Sequence, residues 1–250
     1  MSGRTILITG ASSGIGAALA RVYASSANHL VLWGRNAERL SAVAEECRAR
    51  GAACETASFD IADFDRLIAA LESRDDELPF DLAILNAGVG GSLPRDRVGQ
   101  DARLAQHMAG VNFTAPVIAA NLLAERMARR GGGHIVLVGS VASSFPLPMA
   151  PVYSATKAGL SMFAEALRLR LRKYGVRVTL VSPGFVDTPM SRGLTELKPF
   201  LISPDAAAAC VARKIDRGAR HIVVPWQFGV LRIAARLLPR PLLRAVLSSL

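Results

Sequence analysis

Six short runs of apolar residues, each bounded by turn-forming positions, punctuate the chain: Ile6-Leu-Ile-Thr, Leu30-Val-Leu-Trp, Leu82-Ala-Ile-Leu, His134-Ile-Val-Leu-Val, Val176-Arg-Val-Thr-Leu-Val and His221-Ile-Val-Val. Side chains alternate between the two faces of a strand, so a run that is apolar at every position suits a parallel sheet covered on both sides. Between the runs lie helical stretches at 14–26, 37–50, 62–73, 101–130 and 152–174. Strict alternation of the two predicts an α/β, doubly wound parallel sheet. Such sheets bind ligands beyond the carboxyl ends of their strands, so the residues that follow each apolar run are the ones to search for chemistry.

The bulk numbers fit this picture and narrow it. At 250 residues, 51% of them hydrophobic, one large core and a single domain are expected. No low-complexity tract or repeat interrupts the pattern. Cys47, Cys54 and Cys210 are odd in number and lack metal-like spacing, which argues against a disulfide framework or a zinc site and favours a reducing cytoplasm. The amino terminus enters an apolar strand at once, without the longer apolar region of an export signal. The net charge of +10 lacks the stacking aromatics of a nucleic-acid reader, so no nucleic-acid partner is expected.

The chemistry centres on Tyr153 and Lys157. Residues four apart on a helix share a face, so a phenol and an ammonium are aimed at one point. With three tyrosines and four lysines in the chain, chance pairing at this offset is expected only roughly 0.05 times. Bringing a phenol from pKa 10 to about 7 requires roughly 4 kcal/mol of phenolate stabilisation, part of which a neighbouring ammonium can supply. A tyrosine so tuned suits proton exchange with an alcohol or carbonyl oxygen.

The first apolar run leads into Thr9-Gly10-Ala11-Ser12-Ser13-Gly14-Ile15-Gly16. Glycines there permit a tight turn and close backbone approach to a pyrophosphate, with a helix N-terminus behind them. The second run ends Leu32-Trp33-Gly34-Arg35-Asn36. An acid at this place suits the ribose 2′-hydroxyl of NAD, whereas Arg35 suits a 2′-phosphate. NADP(H) is therefore favoured, with room left for NAD(H).

In order and spacing, Thr9-Gly10-x-x-x-Gly14-x-Gly16, Asn86-Ala87-Gly88, Asn112, Ser140, Tyr153-x-x-x-Lys157 and Pro183-Gly184 resemble the short-chain dehydrogenases/reductases over nearly residues 4–225. The resemblance implies a Rossmann-like fold, hydride transfer between nicotinamide and a carbonyl carbon, and Tyr153 as general acid/base. It makes Ser140 the hydrogen-bond partner of the substrate oxygen and gives Lys157 the nicotinamide ribose. Asn112 becomes the holder of a relay water. It puts Ser12, Ser13 and Ile15 in the phosphate loop, Asp60 and Ile61 beside adenine, and Asn86-Ala87-Gly88 along the cofactor. Pro183, Gly184, Val186 and Thr188 would cover the nicotinamide. Read from the residues alone, Asp60 equally suits a helix N-cap. One departure bears on the cofactor: Ser12-Ser13 stand where many NADP(H)-preferring relatives carry a basic residue. A homodimer or homotetramer is also implied.

A substrate lid is expected at about 185–203. Phe185 and Phe200 of that region, with Ala142, Phe145, Leu147, Met149 and Val152, offer apolar walls for a hydrophobic carbonyl or alcohol substrate, although core packing explains the same side chains. Residues 1–226 then form the catalytic domain, and 227–250 a basic tail. There Arg232, Arg236, Arg240 and Arg244 recur every fourth residue among leucines, broken by Pro239 and Pro241. The pattern suits contact with an anionic membrane surface and equally a helical pair packed on its own domain or on another subunit. Two rival readings remain: a cofactor-binding scaffold without turnover, and a membrane-associated module.

Overall fold

In a computed structural model, residues 3–93, 97–193 and 197–237 are described, the last four by their backbone alone. Seven parallel strands form one sheet in the order β3-β2-β1-β4-β5-β6-β7. They are β1 (Thr5–Thr9), β2 (His29–Gly34), β3 (Ala53–Ser58), β4 (Leu82–Leu85), β5 (Gly133–Val138), β6 (Val176–Pro183) and β7 (His221–Val224). Helices α1 (Gly14–Tyr23), α2 (Ala37–Ala49) and α8 (Pro204–Asp216) cover one face. The other face is covered by α3 (Phe64–Glu77), α5 (Ala115–Arg129) and α6 (Pro151–Leu171). Side chains such as Ile6, Ile8 and Leu30 point into the first layer, and Leu7, Val31 and Ala83 into the second. The period-two alternation of each central strand thus feeds two cores, as continuous apolar runs require.

The expected strands are all present, and the structure adds elements that the hydrophobic pattern does not mark. Strand β3, Ala-Cys-Glu-Thr-Ala-Ser, pairs with β2 alone and is largely exposed, so its residues carry no continuous apolar run. Helix α8 opens with Ser203, whose hydroxyl accepts from the Ala206 N–H, and Pro204 in its first turn; its four successive alanines mute the amphipathic period. The stretch expected as one helix over 101–130 is α4 (Ala102–Ala109), a π-helical turn at Gly110–Thr114 and α5. Short α7 (Pro189–Arg192), α9 (Gln227–Leu237) and two 3-10 turns at Val141–Ser144 and Arg172–Tyr174 complete the described elements. Among the described residues no helix is long and apolar enough to cross a membrane. Pro239, Arg240, Pro241 and Arg244 of the tail, and 194–196 of the expected lid, lie outside the described residues.

Candidate active site

The loop between β1 and α1 is held by Asn86. Its Nδ2 donates to the carbonyls of Thr9 (3.0 Å) and Gly10 (3.4 Å), while the Thr9 hydroxyl accepts from the N–H groups of Asn86 (3.0 Å) and Ala87 (3.1 Å). Gly10 and Gly14 have φ of 68° and 57°, which side chains with a β-carbon resist. Gly16 is required by contact: a β-carbon there would lie 2.3 Å from the Gly10 carbonyl oxygen. Ser13 occupies the N-cap of α1 without capping it, and no acid lies in the first turn. The helix therefore offers N–H donors with no side-chain acceptor of its own, the arrangement an anionic phosphate needs. Ser12 abuts the end of β2, where a β-carbon on Gly34 would lie 3.1 Å from Oγ. Ile15 packs against the core behind the loop.

At the far end of this cleft the Arg35 side chain is 58% exposed, with Nη1 3.7 Å from the Asp60 carboxylate and 3.3 Å from Nε2 of His107. A half-exposed pair at that distance leaves the guanidinium able to meet a phosphate. The cap of α3 is Asp63, which accepts from the Arg66 N–H (3.2 Å); Asp60 accepts from the Ala62 N–H (2.9 Å) and faces Arg35. The alternative reading of Asp60 as N-cap is thereby corrected: the helix starts three residues later. Ile61 is buried and lines a small hollow with Thr9 and Ala87. His107 was not singled out from the sequence, since a lone histidine in a polar helical stretch carries no signal there.

The catalytic trio converges from β5 and α6. Ser140 follows β5, is buried, and accepts from the Ala142 N–H (3.1 Å). Helix α6 begins at Pro151, a residue suited to the first turn because its missing N–H is not needed there. Two residues on, Tyr153 is half-buried; burial raises its phenol above the ordinary range, and a hydrogen bond with the Ser140 hydroxyl pulls the other way. One turn further, Lys157 is 4% exposed, and its Nζ donates to the Val138 carbonyl (3.0 Å) while lying 5.9 Å from the centre of the Tyr153 ring. Burial lowers the ammonium to about 8. In the chain by itself, burial outweighs the depression of the phenol expected from Lys157. Desolvation disfavours both the phenolate and the ammonium, and it dominates at this depth.

Asn112 is fully buried in the π-helical turn, and both ends of its amide are used: Oδ1 accepts from the Val89 N–H and Nδ2 donates to the Val89 carbonyl, each at 2.8 Å. It clamps the segment after Gly88. A β-carbon on Gly88 would lie 3.2 Å from Asn112 Oδ1, a tight contact, and 3.5 Å from Lys157 Nζ, an ordinary one.

Ala142 is buried, and Phe145, Leu147, Met149 and Val152 are half-buried around the entrance to α6. The lid is tied at both ends: Asp187 N–H donates to the Ile202 carbonyl (2.9 Å), and Ile202 N–H to that of Phe185 (3.2 Å). Val186 is buried, and Thr188 caps α7 while touching the glycine loop, its Cγ2 2.9 Å from where a Gly14 β-carbon would be. Pro183 ends β6, and Gly184 carries the ring of Phe228 from α9 upon it. Phe228 also stacks edge-on with Phe185 (6.0 Å) and Phe200 (5.7 Å). Sequence reasoning missed Phe228, because nothing local marks a tail residue that turns back onto the lid.

A family model described as short chain dehydrogenase matches residues 4–198. An uncharacterised oxidoreductase of Myxococcus xanthus is 36% identical over 251 residues, covering 98% of this chain and 96% of its own. The structure of a short-chain dehydrogenase from Sphingobium yanoikuyae in complex with NADPH superposes with a TM-score of 0.83 at 31% identity, over 93% of this chain and 94% of that one. A bulky-bulky ketone specific alcohol dehydrogenase from Comamonas testosteroni gives 0.80 at 28% identity, over 95% of both. With that match along the chain, a seven-stranded sheet of the expected kind, and Tyr153 and Lys157 converging with Ser140, this chain belongs to the short-chain dehydrogenase/reductase family of oxidoreductases.

Proposed function

We propose that the protein is an NADP(H)-dependent oxidoreductase that interconverts an apolar ketone or aldehyde and its alcohol. The observation that carries this reading is the constellation of buried Ser140 and Lys157 with half-buried Tyr153 at the carboxyl ends of the strands. The glycine loop and the uncapped start of α1 suit a pyrophosphate, and Arg35 a 2′-phosphate. Ile61 and Asp60 suit the adenine side. Lys157 is assigned the nicotinamide ribose, and Pro183, Gly184, Val186 and Thr188 the cover of the ring. Bound in that cleft, the cofactor supplies the hydride in reduction and accepts it in oxidation.

The chain's own work is positioning and proton transfer. Ser140 holds the carbonyl oxygen by a hydrogen bond, and Tyr153 donates its phenolic proton to that oxygen as negative charge develops on it. A phenol raised by burial is fully protonated at neutral pH, which suits the reducing direction. Lys157 offers positive charge to the phenolate left behind. The Asn112 amide is spent on Val89, so the relay water assigned to this residue is not held by that amide.

The apolar substrate class rests on Phe145, Met149, Phe185 and Phe200 with Ala142, and Phe228 joins them. The free thiols of Cys47, Cys54 and Cys210 support a reducing cytoplasm, where a homodimer or homotetramer is the proposed form. NADPH oxidation by wild type and Tyr153→Phe across apolar ketones, aldehydes and quinones tests the reading. Turnover by wild type alone, with NADPH bound by both, supports it. NADPH binding by both and turnover of no compound by either favours a scaffold.

A further inference from the structure

Helix α9 buries one residue of its first turn and carries an apolar stripe on the opposite side. Phe228 is 6% exposed, whereas Trp226, Val230 and Ile233 are 68%, 55% and 60% exposed. At about 100° per residue Val230 and Ile233 lie about 60° apart on α9 and away from Phe228, and Trp226 immediately precedes the helix. Phe200 and Leu201 of the lid are each 47% exposed, and the Phe200 ring meets Phe228 on the other side of the helix. Singly exposed apolar residues are ordinary, but an exposed tryptophan with two exposed β-branched residues on one side of a helix is a surface that a partner would cover.

Charge identifies what covers it. No aspartate or glutamate follows Asp216, while arginine occupies positions 217, 220, 232, 236, 240 and 244. Arg232 lies with Nη1 3.1 Å from Nδ1 of His221, which seats the helix against β7. A second copy meeting this face across a two-fold axis would bring the same positive charge against itself. An anionic lipid surface instead offers opposite charge to the acid-free, arginine-bearing sequence that follows Asp216 and an apolar layer to the stripe, and tryptophan is suited to the boundary between them. We infer that α9 docks the protein on the surface of an anionic bilayer, with Trp226, Val230 and Ile233 entering the headgroup boundary. The arginine spacing keeps the segment on the surface rather than through it. This inference stands apart from the substrate reading, because vesicle binding is measured without turnover.

The test is flotation of the full-length chain with vesicles of phosphatidylcholine alone and of phosphatidylcholine containing about a third phosphatidylserine. The expected result is binding to the anionic vesicles at least about tenfold tighter than to the neutral ones, weakening with salt. A Val230→Ser/Ile233→Ser variant should lose about tenfold of that binding while keeping its melting temperature and NADPH affinity, and Arg240→Gln/Arg244→Gln should lose the salt-sensitive part. Absence of binding to anionic vesicles overturns the proposal, as does binding that the stripe variant leaves unchanged. A fall in the solution mass of the stripe variant without any lipid binding would also overturn it, assigning the face to another copy of the chain.

Discussion

The ring of Phe228 lies over Gly184, so close that a β-carbon on Gly184 would sit 2.3 Å from Cδ2 and Cε2 of the ring. A residue from the last described helix thus closes the space above the turn that follows β6, and joins Phe185 and Phe200 in one aromatic cluster.

Gly184→Ala should destabilise the protein by about 1–3 kcal/mol, because the added methyl cannot fit without displacing the ring. Adding Phe228→Ala should remove most of that penalty, relative to Phe228→Ala alone. Urea unfolding of the four proteins of this cycle measures it. An additive result would mean that the two residues are not in contact.

Arg35→Ala should weaken NADPH binding by about 10- to 100-fold, the loss of charge-assisted hydrogen bonds to a phosphate, and leave NADH binding nearly unchanged. Fluorescence titration with both nucleotides reads the ratio. Equal losses for the two would show that Arg35 supports the fold of the cleft instead of reading the 2′-phosphate.

In the free enzyme the ammonium of Lys157 is present below about 8 and lost above it, while the raised phenol of Tyr153 stays protonated through this range. The kcat/KM for NADPH, which reports free-enzyme groups, should therefore be level near neutrality and fall as the pH rises through about 8. Lys157→Arg, whose charge does not titrate there, should abolish that limb even at reduced activity. A limb that persists in this variant would assign it to another group.

Stability should follow the same group with a defined sign. Lys157 titrates near 8 when folded against an ordinary value of 10.5, so between these pH values the unfolded chain binds a proton that the native state does not. Native stability relative to unfolded must then rise with pH across the window, since removing the charge relieves the cost of burying it. Against Lys157→Met, wild type should gain roughly 3 kcal/mol from pH 8 to 10.5. Denaturant midpoints at several pH values would show a constant difference if Lys157 were freely solvated.

The α/β alternation, the glycine loop and the Tyr153–Lys157 pair were legible because each is a local pattern. A run of apolar residues must be a strand covered on both faces, a glycine at positive φ must be a turn, and residues four apart on a helix must share a face. What depends on encounters between distant segments was not legible. Strand β3 is an edge whose only partner is β2, so its polar residues carry no burial signal. What raises the phenol was not legible: a neighbouring ammonium is visible in the order of residues, whereas the burial that outweighs it comes from β5, α6 and their surroundings. Asn112 could be found by its place in a motif, but its grip on Val89, 23 residues away, exists only once the π-helical turn faces the end of β4. Order along the chain thus determined the elements and the identity of the reacting groups. Tertiary structure alone decided how far each group is removed from water, what its polar atoms are tied to, and that the closing wall of the lid is a phenylalanine from the tail, because desolvation and contact are properties of neighbours in space.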